Sequence, residues 1–319
     1  MQEELQNQMY VTSKGSISGF LPKESMKIAR VSTKDGGTYG IVHYQKFVSR
    51  ETLEKSLGRE LPPSICDFFE LVTTNARLKA ELISATENAD KATDIGSANL
   101  LAPVDGRPKV ICVGLNYKDH AKEQGVKPPN EPVIFMKPYT AIAGPADAIE
   151  YPSYITKLDY EAELGVVMGK RCRALKKEQV YENIVGYLAF DDVSARDVQF
   201  KDGQWTRGKS FDTFAPVGPW VVTTEEIPDP QNLKIRSRVN GESRQNSSTA
   251  NMIFDVKTIV SFVSRVMTLD PGDIIATGTP PGVGVFWKPH PKLLKVGDTV
   301  EVEIEKIGSV RNKVVVGKV

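Results

Sequence analysis

From about residue 105 onward, proline and glycine cut this chain into apolar segments too short to serve as anything but strands. The segments 109–113, 133–135, 164–168, 186–190, 217–222, 235–239, 274–277, 300–304 and 312–316 run three to six residues each and favour valine and isoleucine. A helix needs a longer stretch to bury one face, so short β-branched runs bounded by turn residues read as strands. One stretch departs from the pattern: over 253–267, Ile253, Val256, Ile259, Val260, Val263 and Met267 recur at helical spacing. Many short strands with few helices predict a β-rich α+β fold rather than repeated βαβ units.

At 319 residues the chain exceeds an ordinary single domain, which points to one large or two unequal domains. Residues 1–25 are polar, contain Glu3 and Glu4 and lack an apolar core, so they read as an extension rather than a signal or transit peptide. Strands over 26–31 and 38–42, joined by Asp35, Gly36 and Gly37, predict a hairpin. Pro62 and Pro63 open a helical stretch through Phe68, Phe69, Leu71 and Val72 that Leu78, Leu82 and Ile83 continue, and 85–98 reads as loop. The change of character at the apolar strand 109–113 places a boundary near residue 105, dividing a small N-terminal α+β domain (26–104) from a larger domain (105–319).

A net charge of +1 offers no electrostatic case for nucleic acid or an anionic membrane. No apolar stretch approaches the roughly 20 residues that span a bilayer. Cys66, Cys112 and Cys172 are odd in number and lack ligand spacing, as expected for reduced thiols in a cytoplasmic protein.

The chemistry-bearing residues gather in the larger domain. In Asp159, Tyr160, Glu161, Ala162, Glu163 the two glutamates project to one side of a strand, directly before the apolar run 164–168. Like-facing carboxylates resist joint ionisation unless something positive lies between them, and acids at the mouth of a buried strand suggest a divalent cation. Alternation alone proves little, because Glu301, Glu303 and Glu305 repeat it on a strand that reads as a solvated face. Asp191 and Asp192 offer a third acid to converge on the pair.

Five other features need weighing. Residues 203–210 match the phosphate-loop pattern, ending in Lys209 and Ser210, but a polar stretch precedes them and Pro216 follows, so strand and helix are both missing and the match is chance. His120 and Glu123 are three apart after the strand 109–113; they form either an oriented base or an incidental surface pair. The glycine-rich stretch 277–284 with Thr279 is either a plain strand exit or a loop lining a carboxylate pocket. Arg196 is a carboxylate clamp or a partner of Asp197 or Asp191, and Lys137 is a snorkelling lysine or a cation aimed into a cleft.

These blocks, in this order, resemble the fumarylacetoacetate hydrolase family: Gly114, Leu115, Asn116 and Tyr117 with His120 and Glu123; residues 159–164; residues 191–199; Lys209 to Asp212; and Thr277 to Pro280. The resemblance covers about residues 105–317 and is nearest to the acylpyruvase and oxaloacetate-decarboxylase-like branch. One departure is Asp191, where the family often has Asn. The resemblance implies a β-rich mixed-sheet roll, a homodimer, and Mg²⁺ (Mn²⁺ or Ca²⁺ in its place) held by Glu161, Glu163 and Asp192. It implies His120 and Glu123 as the water-activating dyad, and a pocket lined by Lys137, Arg196, Gln199, Lys209 and Thr279. No nucleotide cofactor is expected.

The chemistry implied is hydrolysis of a C–C bond in a β-diketo acid through a metal-stabilised enolate, with Lys209 and Arg196 holding developing charge. The same site serves oxaloacetate decarboxylation, isomerisation or decarboxylation of hydroxy-diene-dioates, or dehydration of 2-keto-3-deoxy sugar acids. The partner is thus a small 2-oxo or β-diketo carboxylic acid.

Overall fold

Among the residues that a computed structural model describes, 26–318, strands pair into two large sheets and one two-stranded sheet, Leu158–Asp159 with Ser194–Ala195. The extension expected over 1–25 lies outside the described residues. Among those described, twelve strands form the larger sheet. Its path runs Thr93–Asp94, Lys46–Ser49, Gly36–His43, Lys27–Thr33, Ala215–Thr223, Ile184–Asp191, Ala162–Met168, Ile274–Ala276, Val110–Gly114, Val133–Lys137. Ile274–Ala276 and Val110–Gly114 run parallel and their outer neighbours antiparallel, so the sheet is mixed. The five-stranded sheet is ordered Glu242–Ser248, Lys234–Val239, Thr299–Ile304, Gly308–Val316, Ile149–Tyr151. The fold is α+β. The N-terminal hairpin joins the larger sheet, because Lys27 and Ile28 pair with Val222 and Val221. Among the described residues no helix is long and apolar enough to cross a membrane.

Local signals moved several boundaries. The helical stretch opened by Pro62 is two helices, Ile65–Thr74 and Ala76–Glu87, because Asn75 ends the first and its side chain accepts the Leu78 N–H to cap the second. Helix therefore persists to Glu87, where loop was expected from 85. The helix expected over 253–267 is Val256–Val266: Asp255 accepts the Thr258 N–H as its cap, while the N–H groups of Ile253 and Phe254 donate to Asn116. Helices Arg50–Leu57 and Arg196–Asp202 and strand Glu242–Ser248 were not anticipated. In that strand only Gln245 is fully buried, so no apolar alternation marks it.

Ala162–Met168 and Ile184–Asp191 lie mid-sheet with every residue buried. Leu164, Val166 and Met168 face the core that includes helix Val256–Val266, while Val167 faces the core containing Phe68 and Phe69. Ala162 pairs with Asp191, which sets the start of one strand beside the end of the other. Glu161 and Asp192 thus meet just past the paired region, where the Asp192 N–H donates to the Glu161 carbonyl at 2.9 Å. Strand Thr299–Ile304 shows the contrast: Glu301 and Glu303 are partly exposed and pair across the sheet with Arg238 at 3.1 and 2.8 Å.

Candidate metal centre and active site

Strand alternation puts Glu161 and Glu163 on one side, and strand register adds Asp192. Each offers one carboxylate oxygen, the three lie within 4.8 Å of one another, and all three residues are buried. Glu163 Oε2 also accepts the Gly278 N–H at 2.8 Å. Gly278 holds φ at +96°, a conformation that glycine adopts without Cβ strain, and this aims its N–H at the carboxylate.

Three cations surround the triad. Lys209 Nζ lies 2.8 Å from both Glu161 Oε2 and Asp192 Oδ2. Arg196 spans Asp159 Oδ2 through Nε at 2.9 Å and Glu161 Oε1 through Nη2 at 2.6 Å. Lys137 Nζ sits 2.6 Å from Asp192 Oδ1, yet it donates hydrogen bonds to the carbonyls of Val193, Lys209 and Phe214. With its three donors spent on backbone, Lys137 acts on Asp192 as a point charge.

Charge counting makes the case for an ion. Asp159, Glu161, Glu163, Asp191 and Asp192 are buried together with Lys137, Arg196 and Lys209. Fully ionised, five carboxylates against three cations leave an excess of two negative charges, which a divalent cation would neutralise. Protons can otherwise relieve the same excess. Burial, reinforced by Asp192 and Glu161, pushes the Glu163 carboxyl well above the usual range. Burial also pushes Asp191 up to about 7, although its Oδ1 accepts the Glu161 N–H at 3.0 Å. Burial opposes ionisation of Glu161 as well, but Arg196 and Lys209 overcome it and hold that carboxyl well below the ordinary range. Three converging carboxylates are a hard oxygen donor set, so the residues present fit Mg²⁺ or a similar cation.

His120 shares the cavity with this centre, which Glu161, Glu163, Arg196, Lys209, Gln199 and Thr279 also line. It sits on helix Lys118–Glu123, directly after strand Val110–Gly114, and is 4% exposed. Its Nδ1 lies 2.9 Å from Glu123 Oε2, and Glu123 Oε1 accepts the Gly282 N–H at 3.0 Å. That second bond fixes the carboxylate, so the pair is an oriented dyad and not an incidental surface contact.

The remaining expected residues have specific places. Arg196 pairs with Asp159 and Glu161, not with Asp197 or Asp191, because helix Arg196–Asp202 carries Asp197 toward Thr156. Its Nη1 donates to Gln199 Oε1 at 3.0 Å, one helical turn on. Lys137 is fully buried beneath Asp192 and neither snorkels nor lines the cavity. Thr279 donates its hydroxyl to the Ala162 carbonyl at 2.9 Å. The phosphate-loop look-alike follows helix Arg196–Asp202 rather than a strand, and its Lys209 side chain enters the carboxylate cluster.

Several residues have roles that the sequence did not assign. Asp159 accepts N–H groups from Tyr160, Gly284 and Val285 as well as Arg196, and so ties the acid strand to the glycine-rich loop. Gln245 accepts the Ala162 N–H and the Ser237 hydroxyl and donates to Thr279 and Pro280. No local pattern flags a glutamine in a polar strand. Trp205, with Phe135, Phe200 and Phe286, forms an aromatic wall of the cavity. It fits only because residue 114 is glycine: a Cβ there would lie 2.1 Å from the indole.

Comparison with known proteins identifies the family. The family model for the fumarylacetoacetate hydrolase C-terminal domain matches residues 109–315. A mitochondrial oxaloacetate tautomerase of Xenopus laevis is 44% identical over 80% of this chain and 79% of its own length. The solved fumarylacetoacetate hydrolase of Exiguobacterium antarcticum superposes with a TM-score of 0.77 at 38% identity, covering 91% of this chain and 99% of that one. A maleylpyruvate hydrolase of Sphingobium gives a TM-score of 0.75 at 29% identity, over 92% and 100%. The chain belongs to the fumarylacetoacetate hydrolase family.

Proposed function

We propose that this protein is a divalent-metal-dependent enzyme that moves a proton at the carbon beside the keto group of a small 2-oxo acid, with keto–enol tautomerisation of oxaloacetate as its first reaction. The supporting observation is one cavity that brings Glu161 and Glu163 of a buried carboxylate triad together with an oriented histidine. The likeness to oxaloacetate tautomerases directs the choice of substrate. Glu161, Glu163 and Asp192 would hold Mg²⁺, which when bound supplies Lewis acidity to the 2-oxo-carboxylate oxygens. Arg196 and Lys209 keep Glu161 ionised and aimed. With Glu123 fixing its Nδ1, His120 takes the proton at Nε2 and returns it to the other tautomer. The aromatic residues give the cavity an apolar lining, and Lys209 Nζ lies over the Phe135 ring, 5.3 Å from its centroid.

A second reading is C–C bond hydrolysis in a β-diketo acid. The same His120 could deprotonate a water instead, and the likeness to a maleylpyruvate hydrolase favours it. Mg²⁺ as the ion, a homodimer and a cytoplasmic location accompany either reading as expectations. The test is a Mg²⁺-dependent panel of oxaloacetate, acylpyruvates and maleylpyruvate, following enol absorbance in the EDTA-treated and reloaded enzyme. Glu161→Gln should abolish turnover of every member. Full activity of that variant after EDTA treatment would sink the assignment, and the panel's best substrate decides between the readings.

A further inference from the structure

His120 has a second partner that the dyad does not explain. The side-chain amide nitrogen of Gln124 lies 2.6 Å from His120 Nε2, on the ring edge opposite Glu123. Gln124 directly follows helix Lys118–Glu123, and its backbone N–H donates to the His120 carbonyl at 3.1 Å, which fixes the stem of its side chain relative to the ring. It also lines the cavity that holds the carboxylate triad.

The tautomer follows from these contacts. Glu123 accepts on both oxygens, from the His120 ring and from Gly282, so His120 Nδ1 must carry hydrogen. In the neutral ring Nε2 then offers a lone pair, and the Gln124 NH₂ donates to it. Once Nε2 gains a proton it becomes a donor, and the NH₂ would oppose it. An amide can answer both states, because rotating it by half a turn presents its carbonyl oxygen where the NH₂ had been. Leucine could serve neither state, and glutamate only the protonated one.

We propose that Gln124 is the positioning residue of the proton-transfer step, covering the His120 Nε2 lone pair at rest and accepting from the imidazolium once the proton has arrived. The proposal rests on the functional reading above. In the step itself the substrate C–H bond next to the keto group breaks, its electron pair remains as the enolate, and the proton forms the new N–H bond at Nε2. The Gln124 amide must leave the lone pair before this and turn over afterwards. The charged groups around the ring are Glu123, bonded to Nδ1, and Glu161, Glu163, Arg196 and Lys209, which share its cavity, and Phe286 meets the ring edge-on with centroids 6.2 Å apart.

The pH profile of kcat/KM for oxaloacetate tautomerisation by the Mg²⁺-loaded enzyme tests this in wild type, Gln124→Leu, Gln124→Glu and His120→Asn. A hydrogen bond to the charged ring is about twice as strong as one to the neutral ring, so Gln124→Leu loses more from the imidazolium. Its acid limb should move down by roughly half a pH unit, and kcat should fall about tenfold. Gln124→Glu should move the acid limb the opposite way, and neither variant should lose the Mg²⁺-induced rise in Tm. Acid limbs left at the wild-type position in both variants, or displaced in the same direction, would overturn the role of Gln124 while leaving the base assignment intact. Full activity of His120→Asn would overturn the base, and the Gln124 role with it.

Discussion

Asp159→Asn separates the scaffold of this site from its proposed ligands. The carboxylate is fully buried and accepts four donors: the N–H groups of Tyr160 at 3.0 Å and Gly284 at 2.7 Å on Oδ1, and of Val285 at 3.0 Å with Arg196 Nε at 2.9 Å on Oδ2. Asparagine replaces one oxygen by NH₂, so whichever way it turns, two buried donors face a third. Bonds to a charged partner contribute about 1.5–3 kcal/mol each, which puts the loss of two at about 3–6 kcal/mol. At about 2 °C per kcal/mol for a chain this large, Tm should fall by roughly 6–12 °C, as read by calorimetry at pH 7.5 in EDTA. Mg²⁺ should still raise the Tm of this variant, because Glu161, Glu163 and Asp192 are untouched, whereas Glu161→Gln should not respond. A fall of less than about 2 °C would refute the idea that Asp159 holds the loop to the acid strand. A lost Mg²⁺ response in Asp159→Asn would place this residue among the ligands.

Three further outcomes are expected. Titrating Mg²⁺ into EDTA-treated wild type to about 100 times its Kd should stabilise the fold by about 2.7 kcal/mol, a rise of roughly 5 °C; a flat melting temperature would count against a resident cation. Gly114→Ala should displace the Trp205 indole, since the new Cβ would lie 2.1 Å from it, and should raise KM while circular dichroism stays native. Burial pushes the Cys66 thiol up to about 12 and Cys172 to about 11, and Cys112 rises well above its ordinary value, so all three should resist iodoacetamide at pH 8 until the chain is unfolded. Because the folded chain holds these protons more tightly, their contribution to stability is complete below about pH 8.5 and declines as pH rises toward the folded values; rapid labelling of the native protein would contradict it.

The strands beyond residue 109 were legible because period and composition are local properties. Segment 164–168 and its partner 186–190 are apolar throughout, and the structure covers them on both faces. Caps were harder: Asn75 and Asp255 set helix boundaries through single side-chain bonds that hydrophobic spacing does not register. Strand Glu242–Ser248 was invisible because its one buried residue, Gln245, is polar and earns its place through contacts with the acid strand and the glycine-rich loop.

The site divides in the same way. Sequence by itself determined which residues are candidates for the chemistry: two like-facing glutamates, a nearby aspartate, a histidine three residues from a glutamate, and a lysine in a misleading phosphate-loop pattern. Spacing along a strand or helical turn carries that information; Gln124, four residues from His120, went unread. Only the tertiary structure decided what those residues meet. Register brought Asp192 to Glu161, the glycine-rich loop gave Glu163 and Glu123 their N–H donors, and Arg196 found Asp159 rather than its sequence neighbours. A buried charge takes its role from the counter-charges and donors that share its low-dielectric surroundings, and those arrive from distant segments, Lys209 from 48 residues away and the Gly278 N–H from 115.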